Sequence, residues 1–122
     1  MRKSLRNLAA ALAFGLAAAM PVAAEAHAVV VNAQPALDQQ LSAGPLAIRL
    51  EFNSRIDKKR SKLELTLPDG GKTEIPLDQA GEPNVLAATI SAAVKGAYSL
   101  RWQVLAVDGH ITRGDIPFTV GP

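Results

Sequence analysis

The sequence contains no cysteine. Disulfide bonds, thiolate metal sites and thiol nucleophiles are therefore excluded, and the fold must rest on its apolar core alone. Methionine is nearly as scarce: only Met1 and Met20 are present, both in the first 26 residues. The remainder of the chain offers no thioether for a soft monovalent metal. Aromatics make up 4% of the chain, as one Trp, one Tyr and three Phe. Neither sign of charge dominates, with 13 basic against 11 acidic residues. Beyond residue 26 there is no internal repeat, no low-complexity tract and no long linker.

The N-terminal stretch has an order of its own. Arg2, Lys3 and Arg6 form a basic start, Leu8 to Met20 an apolar run rich in Ala and Leu, and Ala24-Glu25-Ala26 a small-x-small site. That is the order of a secretory signal peptide. The run falls short of the ~20 residues needed to span a bilayer, which argues against a membrane anchor. The expectation is a signal peptide at residues 1–26, an exported protein, and one domain at 27–122. Loss of Arg2, Lys3, Arg6 and Glu25 leaves that domain with balanced charge. No nucleic-acid footprint is expected. The run Lys58-Lys59-Arg60 with Lys62 reads as a solvated loop or strand end.

Alternation of apolar and polar residues governs the rest of the chain. Leu46, Ile48, Leu50 and Phe52 share one face, as do Leu63, Leu65 and Leu67. Tyr98, Leu100, Trp102 and Val104 form another such set, and Ile116, Phe118 and Val120 a last one. Val29–Val31, Lys72–Ile75 after the turn at Asp69-Gly70-Gly71, and Val85–Ser91 read as further strands. A period of two places one face of each strand in a core. About seven short strands make an all-β sandwich of immunoglobulin-like size. Gln39 to Ser42 reads as one helical turn, stopped by Gly44-Pro45.

The chain has two histidines, His27 and His110. Cleavage after Ala26 makes His27 the first residue, so its α-amine and its imidazole Nδ1 can close a chelate ring on one metal ion. A free α-amine has a pKa of about 7.7–8.0, low enough for a metal to displace its proton near neutrality. His110 lies in Val107-Asp108-Gly109-His110. Residues two apart in extended chain point to one side, so Asp108 and His110 could act together. The competing reading of Asp-Gly is a plain hairpin turn between the last two strands. An amine, two imidazoles and a carboxylate suit tetragonal Cu(II), with Ni(II) second. Zn(II) accepts such donors but prefers a tetrahedron.

His27-Ala28, Gln34-Pro35-Ala36, Pro45, Leu50-Glu51-Phe52, Gly96-x-Tyr98-x-Leu100-x-Trp102, Asp108-Gly109-His110, Gly114 and Phe118-x-Val120 together resemble the CopC family of periplasmic copper-binding and copper-resistance proteins. The resemblance runs from His27 to Val120. It implies a seven-stranded Greek-key, cupredoxin-like sandwich or barrel. It also implies a single Cu(II) ion held by His27, Asp108 and His110, and a periplasmic protein that sequesters copper or hands it to an inner-membrane copper transporter. A monomer is expected. Two departures stand out. Where some members place a carboxylate near the copper, this chain has Asn53-Ser54-Arg55, so water would fill that position. The Met-rich loop of other members is missing, which removes the expectation of a Cu(I) site.

Other readings stay open. An N-terminal His chelate also resembles the copper brace of oxidative polysaccharide-cleaving enzymes, which need a substrate surface, commonly aromatic. Phe52, Tyr98, Trp102 and Phe118 all fall at core positions, so a non-enzymatic binder is expected. A metal-free immunoglobulin-like interaction module is the third reading. A Ser-His-Asp hydrolase has no nucleophile-elbow sequence to support it.

Overall fold

The computed structural model describes residues 28–122. The expected signal peptide and His27 lie outside the described residues. Eight strands follow one another without a helix between them: β1 (Val30–Gln34), β2 (Gln39–Ser42), β3 (Gly44–Phe52), β4 (Ile56–Thr66), β5 (Lys72–Ile75), β6 (Val85–Ala92), β7 (Gly96–Ala106) and β8 (Ile111–Gly121). They form a three-stranded sheet in the order β1-β3-β6 and a five-stranded sheet in the order β2-β8-β7-β4-β5. The expected all-β sandwich is what the chain adopts.

The alternation read from the sequence becomes the inside of the sandwich. Leu50, Leu63, Leu86, Leu100 and Val104 are fully buried between the sheets. Each large apolar side chain removed from water this way contributes on the order of 1.5–3 kcal/mol. Phe52 meets Trp102 edge-on, with centroids 5.2 Å apart at 73°. Tyr98 and Phe118 stack at 5.2 Å and 6°, bridging two neighbouring strands of the larger sheet. The Tyr98 hydroxyl donates to the Val94 carbonyl at 2.6 Å, which ties down the turn ahead of β7.

Two segments depart from expectation. Gln39–Ser42 is not a helical turn but an edge strand, parallel to β8, with Gln39 opposite Phe118 and Ser42 opposite Gly121. The reversal comes earlier. Gln39 donates its N–H to the Ala36 carbonyl, and Asp38, at φ 60°, donates to the Pro117 carbonyl at 2.7 Å. That contact carries the chain onto β8. This extra strand raises the count from seven to eight.

The second departure is β4, which begins at Ile56, well before Leu63. Its first half escapes a reading by alternation because the register shifts between Asp57 and Lys62. The Asp57 carboxylate accepts the backbone N–H groups of Lys59 and Arg60. Ser61 Oγ donates to the Asp57 carbonyl at 2.6 Å and accepts the Leu105 N–H. The basic run Lys58-Lys59-Arg60 is thus a bulge within a strand rather than a loop.

One end of the sandwich gathers three segments. Val30 at the start of β1 pairs with Phe52 at the end of β3. Asn53 to Arg55 then crosses to the other sheet, where Ile56 pairs with Ala106 at the end of β7. The β7–β8 hairpin therefore turns at the same end at which the described chain begins.

Candidate metal centre

Asp108, Gly109 and His110 occupy the connection between β7 and β8. The Gly109 N–H donates to the Ala106 carbonyl and the Ala106 N–H to the His110 carbonyl, both at 2.9 Å. Gly109 stands at φ 91°, a left-handed conformation that disfavours any residue with a Cβ. The plain hairpin turn weighed from the sequence is therefore present. It does not compete with a pairing of the two polar side chains, because the turn itself creates that pairing.

The Asp108 carboxylate uses both oxygens on His110. Oδ1 accepts the His110 backbone N–H at 3.0 Å, and Oδ2 stands 3.0 Å from the imidazole Nδ1. Extended geometry was the ground for expecting these residues together; a tight turn is what joins them. That contact turns the Nδ1 edge of the ring toward the carboxylate and the Nε2 edge away from it. A carboxylate against one ring nitrogen is a common support for an imidazole that ligates a metal through the other. Both residues lie at the surface, with 57% of the His110 side chain and 31% of the Asp108 side chain exposed.

Among the described residues, no group of three or more His, Asp or Glu side chains is placed to hold a metal ion. The structure brings together two of the three expected site residues. The third, His27, lies outside the described residues. Ala28, the next residue, is buried against the core.

At Asn53-Ser54-Arg55, the Asn53 side chain engages the backbone just ahead of β1. Its Oδ1 accepts the Val29 N–H at 2.9 Å. Among the described residues, Ser54 Oγ and Thr112 Oγ1 are buried without a hydrogen-bond partner. The sequence marked Asn53-Ser54-Arg55 only as a stretch without a carboxylate; the bond from Asn53 to Val29 joins residues 24 apart and has no local signal. A cleft of about 480 Å³ lies against the three-stranded sheet, lined by Ala47, Arg49, Leu77, Asp78 and Thr89 among others. The hairpin contributes none of its walls.

Comparison with known proteins agrees with this architecture. Protein YobA of Escherichia coli (strain K12) is 28% identical over 98% of this chain and 99% of its own length. Copper resistance protein C of Xanthomonas campestris pv. juglandis is 26% identical over 96% of this chain and 98% of its own. The crystal structure of CopC from Methylosinus trichosporium OB3b superposes with a TM-score of 0.69 at 30% identity, covering 79% of this chain and 95% of that one. The family model described as CopC domain matches residues 30–121, which is every strand and the hairpin between β7 and β8. With the sandwich superposing and the family model matching nearly the whole described chain, the protein belongs to the CopC family.

Proposed function

We propose that the protein is an exported, non-enzymatic Cu(II) carrier that binds one ion between the N-terminal residue His27 and the His110 hairpin. The observation that carries this reading is the contact between Asp108 Oδ2 and His110 Nδ1, which turns the Nε2 edge of the ring away from the carboxylate and supports its reading as a metal ligand. The donor chemistry fits. An amine and two imidazoles form the nitrogen-rich set that Cu(II) prefers among divalent metals. The chain begins its described course at the same end of the sandwich, so His27 needs to supply only the residue before Ala28. Asp108 acts through His110 by orienting it. In this reading copper is cargo.

The surface around the hairpin supports delivery to a partner. Val29, Val107 and Ile111 are large apolar residues left 50%, 68% and 50% exposed, and all three flank this end. Such a rim suits contact with a protein that draws the ion away, an inner-membrane copper transporter in this reading. By contrast, Phe52, Tyr98, Trp102 and Phe118 are all buried and offer no aromatic platform to a polysaccharide. That favours a carrier over an oxidative enzyme. The names of the relatives, copper resistance protein C and CopC, point the same way.

The test is a Cu(II) titration of protein beginning at His27, followed by electron paramagnetic resonance, beside a sample with one extra glycine ahead of His27. A one-to-one tetragonal signal with several nitrogen couplings, altered by the added residue, is expected. Identical binding by the two samples would remove the amine from the site. Tight binding by His27→Ala would remove the residue altogether.

A further inference from the structure

Asn53, the first residue past β3, holds both backbone groups of Val29. Its Oδ1 accepts the Val29 N–H at 2.9 Å, and its own N–H donates to the Val29 carbonyl at 3.0 Å. The corner behind it is braced in turn. Phe52 donates its N–H to the Asn84 carbonyl at 2.8 Å, and Ile56 donates to the Pro83 carbonyl at 3.0 Å. Asn84 Nδ2 donates to the Phe52 carbonyl at 3.1 Å. Three residues further along the same corner, Ile56 pairs with Ala106, two residues ahead of Asp108. The clamp on Val29 and the hairpin bearing His110 therefore belong to one braced unit.

A chelate built on a chain terminus binds tightly only if the terminus is held near the other ligand beforehand. Every loose residue between the last fixed point and the amine adds conformational freedom that binding must remove. Ala28 is packed into the core and Val29 is held on both sides, so little free chain remains.

We infer that Asn53 is a positioning residue for the copper chelate: by clamping Val29 it delivers the amine and imidazole of His27 toward the His110 hairpin. The inference rests on the Cu(II) reading given above. It also gives the Asn53-Ser54-Arg55 corner a role. Where a carboxylate would offer the metal an oxygen, the Asn53 amide spends its oxygen on the backbone that carries the N-terminal ligand.

The experiment is a double-mutant cycle. Cu(II) affinity is measured by chelator competition for protein beginning at His27 and for protein with an added glycine ahead of it, each with and without Asn53→Ala. Asn53→Ala is expected to weaken binding about 10- to 100-fold in the first background, as loss of an orienting partner does. In the second background, where the chelate is already broken, it should have little effect. Exchange of the Val29 amide hydrogen should accelerate in Asn53→Ala. Asn53→Asp, which keeps the acceptor oxygen, should restore slow exchange of the Val29 amide. Should Asn53→Ala fail to fold, Asn53→Gln displaces the same acceptor by one methylene while keeping the amide, and is expected to weaken binding too. Equal losses in the two backgrounds, or none in either, would overturn the positioning role while leaving the copper site standing. Absence of Cu(II) binding by the unsubstituted protein beginning at His27 would overturn both.

Discussion

Gly114 sits face to face with Trp102 across the β7–β8 ladder, and the indole covers the glycine so closely that a methyl group there would lie 2.5 Å from Cζ2. No real Cβ tolerates that approach. Gly114→Ala must tilt the indole, which also meets Phe52 edge-on. We expect a loss of about 1–3 kcal/mol, the usual range for overpacking a core, read as a lower denaturation midpoint with an altered tryptophan emission. Unchanged stability would mean that the ring has room to move.

Asp108→Asn separates orientation from fold. The amide has one oxygen, so it can still accept the His110 backbone N–H but sets an NH2 group in place of the second oxygen beside the ring Nδ1. Cu(II) affinity should fall about 10- to 100-fold, with the unfolding midpoint little changed because the turn's own backbone bonds remain. Retention of full affinity would remove Asp108 from the site.

Tyr98→Phe keeps the stack on Phe118 and deletes only the hydroxyl that reaches the Val94 carbonyl. The bond is partly buried, so a loss of about 0.5–1.5 kcal/mol is expected from equilibrium unfolding in urea. A neutral result would show that water replaces the hydroxyl at the carbonyl.

The Arg101–Asp115 pair on the outer face of the larger sheet sets a weak acid dependence. Its two hydrogen bonds measure 2.9 and 3.0 Å. The hydrogen bond from Arg101 holds the Asp115 carboxyl below its ordinary value, against partial desolvation. A depressed carboxylate contributes stability above its unfolded-state pKa and loses it as pH falls through the lower folded-state value. Both side chains are about half exposed, so the effect is heavily screened. Asp115→Asn should therefore lower the unfolding midpoint slightly at pH 7 and match the parent protein near pH 2. A gap that widens toward acid would contradict the assigned direction.

Much of this fold is legible in the sequence wherever one strand face is buried without interruption. Leu46 to Phe52 and Tyr98 to Val104 alternate because the pleat sends every second side chain into the core, and those are the side chains found buried. β2 was not legible. Its four residues include a single apolar one, Leu41, and its partner β8 is reached only through the tertiary fold. The front of β4 was hidden by the Asp57–Ser61 bulge, which disrupts the period of two. At the site, Asp108-Gly109-His110 announced both a turn and a ligand pair. The part played by Asn53 was invisible, since nothing local in a sequence links an asparagine after one strand to an amide at the start of another.

The parallel pairing of β2 with β8 carries a consequence for the order of assembly. Among the described residues, Gln39–Ser42 has no other strand beside it, and its partner residues, Phe118–Gly121, lie beyond all the other strands in sequence. Hairpins such as β7–β8 can zip locally, whereas this seam joins residues separated by most of the domain. Closing so long a loop is entropically slow and comes late. Until β2 docks, the larger sheet keeps a raw edge along β8. A chain stalled before Phe118 would hold most of its core residues and still lack the seam that seals them.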